Sequence, residues 1–261
     1  MIYCYTTLKE KEVFQEAVES FKSLGFMVIK DFFQKDELEI LRQSSNQLER
    51  DALSKDLNDP VLKHSFSDVP YHVLASSLKS EVLHRGNDQS YDQGMTDIFN
   101  PPYWYARNSP ECLELLARLR SGLILKLINA VNPNASPKNN NLYIHKSVEN
   151  PRCAHIDSVR DYFKLFLALS DQTSPSCGPF GVIPKTHSKK IKNYAMCQLN
   201  KRFYGLKGGN VTDATLYNNE QLTPIFLELG SLAICNQSIV HGALPAATNE
   251  GRLTFVQTYD R

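Results

Sequence analysis

Cys153-Ala154-His155-Ile156-Asp157, followed after four residues by Tyr162-Phe163-Lys164-Leu165-Phe166-Leu167-Ala168-Leu169, is the stretch on which the reading of this chain turns. Its second part is an apolar, aromatic run of strand length and reads as a buried strand. Residues i and i+2 of an extended segment point to the same side, so His155 and Asp157 can reach one point from a single strand end. A His-x-Asp tripeptide alone is a weak signal. What strengthens it is a second segment, His241-Gly242-Ala243, with Gly251-Arg252-Leu253 placing an arginine eleven residues after His241. His241 must arrive from a distant strand to join the first two residues.

The surrounding sequence supplies such strands. Beyond Asn141, apolar runs at Leu142 to Val148, Tyr162 to Leu169, Phe180 to Ile183, Ile225 to Cys235 and Leu253 to Tyr259 alternate with Pro, Gly and Asn clusters. That pattern points to a sandwich or barrel. The first half is helical in period. Val13, Phe14, Ala17, Val18 and Phe21 share one face of a helix ending near Gly25, and Leu38, Leu41 and Leu48 mark a second. Ser109-Pro110-Glu111 is a helix start, and the period continues through Leu113, Leu116, Leu119, Leu123 and Leu127, predicting one helix that braces a sheet. Asn132 to Asn141 reads as a loop within one domain. No internal repeat is evident.

Composition fits an ordinary globular enzyme domain. The chain has 261 residues, 42% hydrophobic and 22% charged, with a formal net charge of +1, enough length for a substantial single core. The charge balance argues against a nucleic-acid or membrane-surface partner. Six scattered cysteines without Cys-x-x-Cys spacing read as reduced thiols. The N-terminus lacks the pattern of a signal peptide, and no apolar run approaches the roughly 20 residues that span a bilayer. A cytoplasmic protein is expected, a monomer or homodimer with a small-molecule substrate.

Two imidazoles and a carboxylate are the ligand set of non-haem Fe(II) sites, in which open positions remain for other ligands. With these residues in place, the chain resembles the phytanoyl-CoA hydroxylase family of Fe(II)/2-oxoglutarate-dependent dioxygenases. The similarity runs from about Glu10 to the C-terminus, with a gap between roughly Asn58 and Pro110. Three stretches carry it: Val13 to Phe33; His155-Ile156-Asp157 with Leu169-Ser170-Asp171 and Cys177-Gly178-Pro179-Phe180-Gly181-Val182-Ile183-Pro184-Lys185-Thr186-His187; and Gly230-Ser231-Leu232-Ala233-Ile234 leading to His241-Gly242 and Arg252.

The resemblance implies a mainly β fold with flanking helices, a double-stranded β-helix of jelly-roll, cupin-like topology, filling one domain over residues 1–261. Helical support would span about 8–131 and the β core about 141–261. It implies Fe(II) held by His155, Asp157 and His241, with 2-oxoglutarate as cosubstrate and O2 as oxidant. The outcome would be hydroxylation, or another C–H oxidation such as desaturation, epoxidation or ring formation, of a small metabolite, with release of succinate and CO2. Arg252 would bind the distal carboxylate of 2-oxoglutarate through paired donors. Lys164 is the second candidate for that role, since related oxygenase branches use a lysine on this strand.

The chain departs from the family at two points. Ile156 stands where many members have glutamine, a change expected on the substrate side of the iron site, and Ala243 stands where many have a hydroxyl residue. Halogenating relatives lack the carboxylate ligand; Asp157 is retained, which disfavours halogenation. His187 is expected to be a structural hydrogen-bonding residue, and His64, His72, His84 and His145 to be ordinary loop or surface residues. A substrate lid is expected over about residues 58–108, with Tyr103, Trp104 and Arg107 as candidate substrate contacts. Two other readings stay open: a noncatalytic sensor that binds metal and 2-oxoglutarate, and a cupin-like metalloenzyme that does not use 2-oxoglutarate and has no need of Arg252.

Overall fold

The computed structural model describes residues 1–53, 81–84, 92–247 and 251–260. The strands are β1 (Ile2–Cys4), β2 (Phe26–Lys30), β3 (Glu81–His84), β4 (Met95–Phe99), β5 (Ser136–Lys146), β6 (Phe163–Ala168), β7 (Phe180–Ile183), β8 (Thr223–Ile225), β9 (Leu232–Asn236), β10 (Val240–Ala243) and β11 (Gly251–Asp260). The helices are α1 (Lys11–Leu24), α2 (Lys35–Leu53), α3 (Pro101–Asn108), α4 (Pro110–Ala117), α5 (Gly122–Val131) and α6 (Lys190–Arg202). An eight-stranded sheet in the order β1-β2-β9-β6-β11-β5-β4-β3 faces a three-stranded sheet, β10-β7-β8. Among the described residues only the β1–β2 pair is parallel; the other strand pairs are antiparallel.

Alternation along the strands of the large sheet separates two environments. Leu142, Ile144, Leu165, Leu167, Leu232, Ile234, Leu253 and Phe255 face outward and join Phe21, Tyr105, Leu116 and Leu127 of the helices in one apolar core. Phe166, Ala168, Ala233, Cys235 and Val256 face inward and pack against Phe180, Val182 and Ile225 of the small sheet. Each such aliphatic or aromatic side chain contributes about 1.5–3 kcal/mol when buried, so the helix-backed face supplies most of the stability. The far side of the small sheet is closed by α6, whose Met196 and Cys197 cover Ala154, Ile156 and Val240.

The helix predicted from Ser109 through Leu127 breaks in two. Ser121 is extended and Gly122 takes φ +56°, so α4 and α5 meet at a corner with a short turn, Arg118–Arg120, between them. The apolar run Ile225 to Cys235 likewise divides, at Gly230 with φ +83°, into β8 of the small sheet and β9 of the large one. Part of the predicted loop, from Ser136 to Asn141, is strand: these residues pair with β11, where backbone hydrogen bonding overrides their polar side chains. Gly25 ends α1 as expected, at φ +83°, and a Cβ there would collide with the imidazole of His187. His187 Nε2 lies 2.9 Å from the Lys22 carbonyl oxygen, so it is the structural residue expected of it.

Much of the predicted lid, together with His64 and His72, lies outside the described residues. None of the six cysteines is in a disulfide. No helix among the described residues is long and apolar enough to cross a membrane.

Candidate metal centre

The three residues singled out in the sequence come together, though not from one strand end. β6 belongs to the large sheet, whereas His155 is joined by isolated bridges to His241 on β10 and to Asp213. His155 and His241 exchange both backbone hydrogen bonds at 2.8 Å, which fixes the two imidazoles side by side with ring centroids 4.5 Å apart. Asp157 N–H donates to the Gln237 carbonyl at 3.0 Å, tying the segment to the turn before β10.

Side-chain geometry leaves three acceptors facing one another. Nδ1 of His155 lies 2.9 Å from the Cys153 carbonyl and Nδ1 of His241 lies 2.9 Å from the Ile239 carbonyl. A carbonyl only accepts, so each neutral ring carries its proton on Nδ1 and turns the bare Nε2 lone pair inward. Those Nε2 atoms lie 3.4 Å (His155) and 3.7 Å (His241) from the Asp157 carboxylate oxygens. Among the described residues this is the one group of three or more His, Cys, Asp or Glu side chains whose ligand atoms fall within 4.8 Å of one another. Lone pairs so placed repel unless a cation lies between them.

Electrostatics bear on His241 and Asp157. Burial pushes the His241 pKa down to about 3, keeping the ring neutral. Burial opposes ionisation of Asp157, but the Lys164 ammonium beside it outweighs that cost and holds the carboxyl well below its usual range. Lys164 Nζ donates directly to Asp157 Oδ2. Phe180 packs against His241, ring centroids 5.5 Å apart, and Phe166 against Phe180 at 4.7 Å, giving the inner cleft a dry aromatic wall.

Arg252 lies on β11 in register with His145 of β5, on the inward face that it shares with Thr254 and Val256. It is only 8% exposed, and its Nε has no hydrogen-bond partner among the described residues. Burial lowers its pKa to about 10, which leaves it charged at neutral pH. A buried guanidinium donor without an acceptor is costly, and a carboxylate is the complementary group.

Other expectations are corrected. Ile156 is wholly buried under α6, beside Met196 and Val240, and contributes nothing to the substrate side. Lys164, the second candidate for cosubstrate binding, donates to Asp157. Of the candidate substrate contacts Tyr103, Trp104 and Arg107, all on α3, Trp104 donates through Nε1 to Asp51 Oδ2 at 3.1 Å and packs half-buried against the outer core, while the Arg107 guanidinium lies 3.9 Å from the centre of the Tyr103 ring. The sequence reading also passed over His145, which is buried, not a surface residue. The signal was present in Asn141-Leu142-Tyr143-Ile144-His145, where polar and apolar residues alternate at strand period and the polar set shares a face with Arg252.

No protein-family model and no curated protein matches this sequence. Solved structures do. AviO1 from Streptomyces viridochromogenes Tue57 is 17% identical, with a TM-score of 0.58, over 95% of this chain and 94% of that one. The chain has the fold of this group. HygX from Streptomyces hygroscopicus, solved with nickel and 2-oxoglutarate bound, is 17% identical with a TM-score of 0.56 over 94% of this chain and 86% of its own. SnoN, a non-haem 2-oxoglutarate-dependent epimerase from nogalamycin biosynthesis, is 13% identical with a TM-score of 0.60 over 96% and 84%. The jelly-roll of two facing sheets with flanking helices is therefore the architecture of this chain as well.

Proposed function

We propose that this chain is an Fe(II)- and 2-oxoglutarate-dependent oxygenase that oxidises a C–H bond of a small molecule. The observation that carries the proposal is the convergence of two imidazole Nε2 atoms and one carboxylate, whose ligand atoms lie within 4.8 Å of one another. A divalent cation satisfies all three, and imidazole with carboxylate is the donor set that suits Fe(II). The orphaned donor of Arg252, buried on the inner face, supports a carboxylate-bearing cosubstrate. HygX and SnoN, in the same fold, are both described with 2-oxoglutarate, which supports the same choice.

His155, Asp157 and His241 would hold the metal; none need act as an acid or base. The carbonyls of Cys153 and Ile239 keep the imidazoles in the ligating tautomer, as outer partners of metal-bound histidines commonly do. Arg252 would receive the distal carboxylate of 2-oxoglutarate, and Phe166 and Phe180 would keep water from one side of the cleft. Iron with 2-oxoglutarate and O2 supplies oxidative decarboxylation to succinate and CO2, coupled to oxidation of the substrate. Hydroxylation is the primary reading; SnoN, as an epimerase, supports including reactions that start at a C–H bond and end without a hydroxyl.

Replacing Arg252 separates this reading from a cupin-like metalloenzyme that does not use 2-oxoglutarate. In Arg252→Ala, Co(II) binding should be retained while 2-oxoglutarate affinity falls about 10- to 100-fold, the scale of lost hydrogen bonds to a charged group. Unchanged cosubstrate affinity would sink the assignment. A noncatalytic sensor would show the same binding but no succinate release.

A further inference from the structure

Among the described residues Lys164 is the cation set against the three converging acceptors, and the proposed reaction gives it no task. It lies mid-strand in β6, in register with Cys235 on β9 and Thr258 on β11, so its side chain enters the inner cleft beside Phe166 and Cys235. Lys164 and Asp157 side chains are both largely buried, at 14% and 17% exposure, and the ammonium donates to Oδ2. Oδ1 is left toward His155 Nε2, at 3.4 Å.

Two ordinary explanations fail on physical grounds. A buried ion pair is poor evidence for stability, because desolvation offsets its attraction. Nor does the lysine favour metal affinity, since a positive charge beside a divalent site repels the metal. What the contact does supply is orientation. A carboxylate free at both oxygens can chelate a metal through the two of them, and each extra oxygen bound removes an open position. With Oδ2 engaged by the ammonium, Asp157 has one oxygen to offer.

Resting on the function proposed above, we propose that Lys164 is a positioning residue that commits Asp157 to one free carboxylate oxygen, preserving the open metal positions that 2-oxoglutarate and O2 require. The reading differs from a direct cosubstrate anchor, in which the ammonium would act by donating to the 2-oxoglutarate carboxylate rather than by fixing Asp157.

Co(II) is the probe, used with the full chain and with Lys164→Met and Lys164→Arg. The Met variant should bind Co(II) at least as tightly as wild type, show an altered Co(II) visible absorption spectrum before any cosubstrate is added, and bind 2-oxoglutarate about 10- to 100-fold more weakly. The Arg variant, which keeps a cationic donor, should restore most of the wild-type spectrum. Should Lys164→Met fail to fold, Lys164→Gln carries the test, with a smaller shift in the same direction. An unaltered spectrum overturns the inference, whether or not 2-oxoglutarate affinity falls; a fall with the spectrum unchanged would make Lys164 the direct anchor. Weaker Co(II) binding, or an altered spectrum with full 2-oxoglutarate affinity, also overturns it. A wild-type chain that takes up no Co(II) overturns the functional reading and this inference together.

Discussion

β11 builds two different environments from alternate residues. Leu253 and Phe255 turn outward into the helix-backed core, where their neighbours are almost all apolar. Arg252 and Thr254 turn inward to a cleft holding Tyr143, His145, Lys164 and the His155–Asp157–His241 group. The outer face is a packing solution, in which many residue combinations of similar volume would serve. The inner face buries charge at a cost, which the proposed metal and cosubstrate would offset. One backbone thus carries stability on one side and chemistry on the other, and substitutions on the two sides should fail in different ways.

The largest separation is expected from Asp157→Ala. Turnover, read as succinate release, should fall more than about 100-fold, while the protein stays folded by circular dichroism. Turnover at the wild-type rate would remove Asp157 from the ligand set. Its counterpart on the outer face is Phe255→Ala, which should cost about 3–5 kcal/mol in chemical denaturation yet leave metal affinity of the folded fraction unchanged. A large loss of metal affinity there would mean that the two faces are not separable.

Ile156 sharpens the contrast because it sits between two proposed ligands yet faces α6. Ile156→Gln should destabilise by roughly 1–3 kcal/mol through burial of an unsatisfied amide, with 2-oxoglutarate affinity unaltered in the folded protein. A changed cosubstrate affinity without a change in stability would return this residue to the site. The smallest effect on stability is expected from Arg252→Met. Because the wild-type guanidinium is buried with an unpaired Nε, its loss should shift stability of the metal-free protein by less than about 1 kcal/mol or raise it. A strong destabilisation would show that Arg252 holds the fold rather than a cosubstrate.

The same contrast explains what the sequence made legible. His155, Asp157, His241 and Arg252 could be picked out because ligand chemistry restricts residue type and spacing, and β6, β7 and β11 because short apolar runs between turn residues leave little choice of structure. The corner at Ser121-Gly122 was hidden, since a regular leucine period on both sides reads as one helix unless the glycine's positive φ is known. Lys164 could be noticed but not assigned. Its partner depends on the large sheet meeting the His155 segment, which no local pattern encodes. Trp104 and Tyr103 could not be placed from sequence for the opposite reason: an aromatic cluster marks packing of some kind, and here both are half-buried on α3, with Trp104 against the helix-backed core.

The account rests on a metal and a 2-oxo acid meeting at the His155–Asp157–His241 group, and an anaerobic titration of metal-free protein with Fe(II) and 2-oxoglutarate tests it most directly. A visible metal-to-ligand charge-transfer band should develop in the wild-type protein and be lost in His155→Ala. Folded wild-type protein that shows no such band, or a band that persists in His155→Ala, would contradict it.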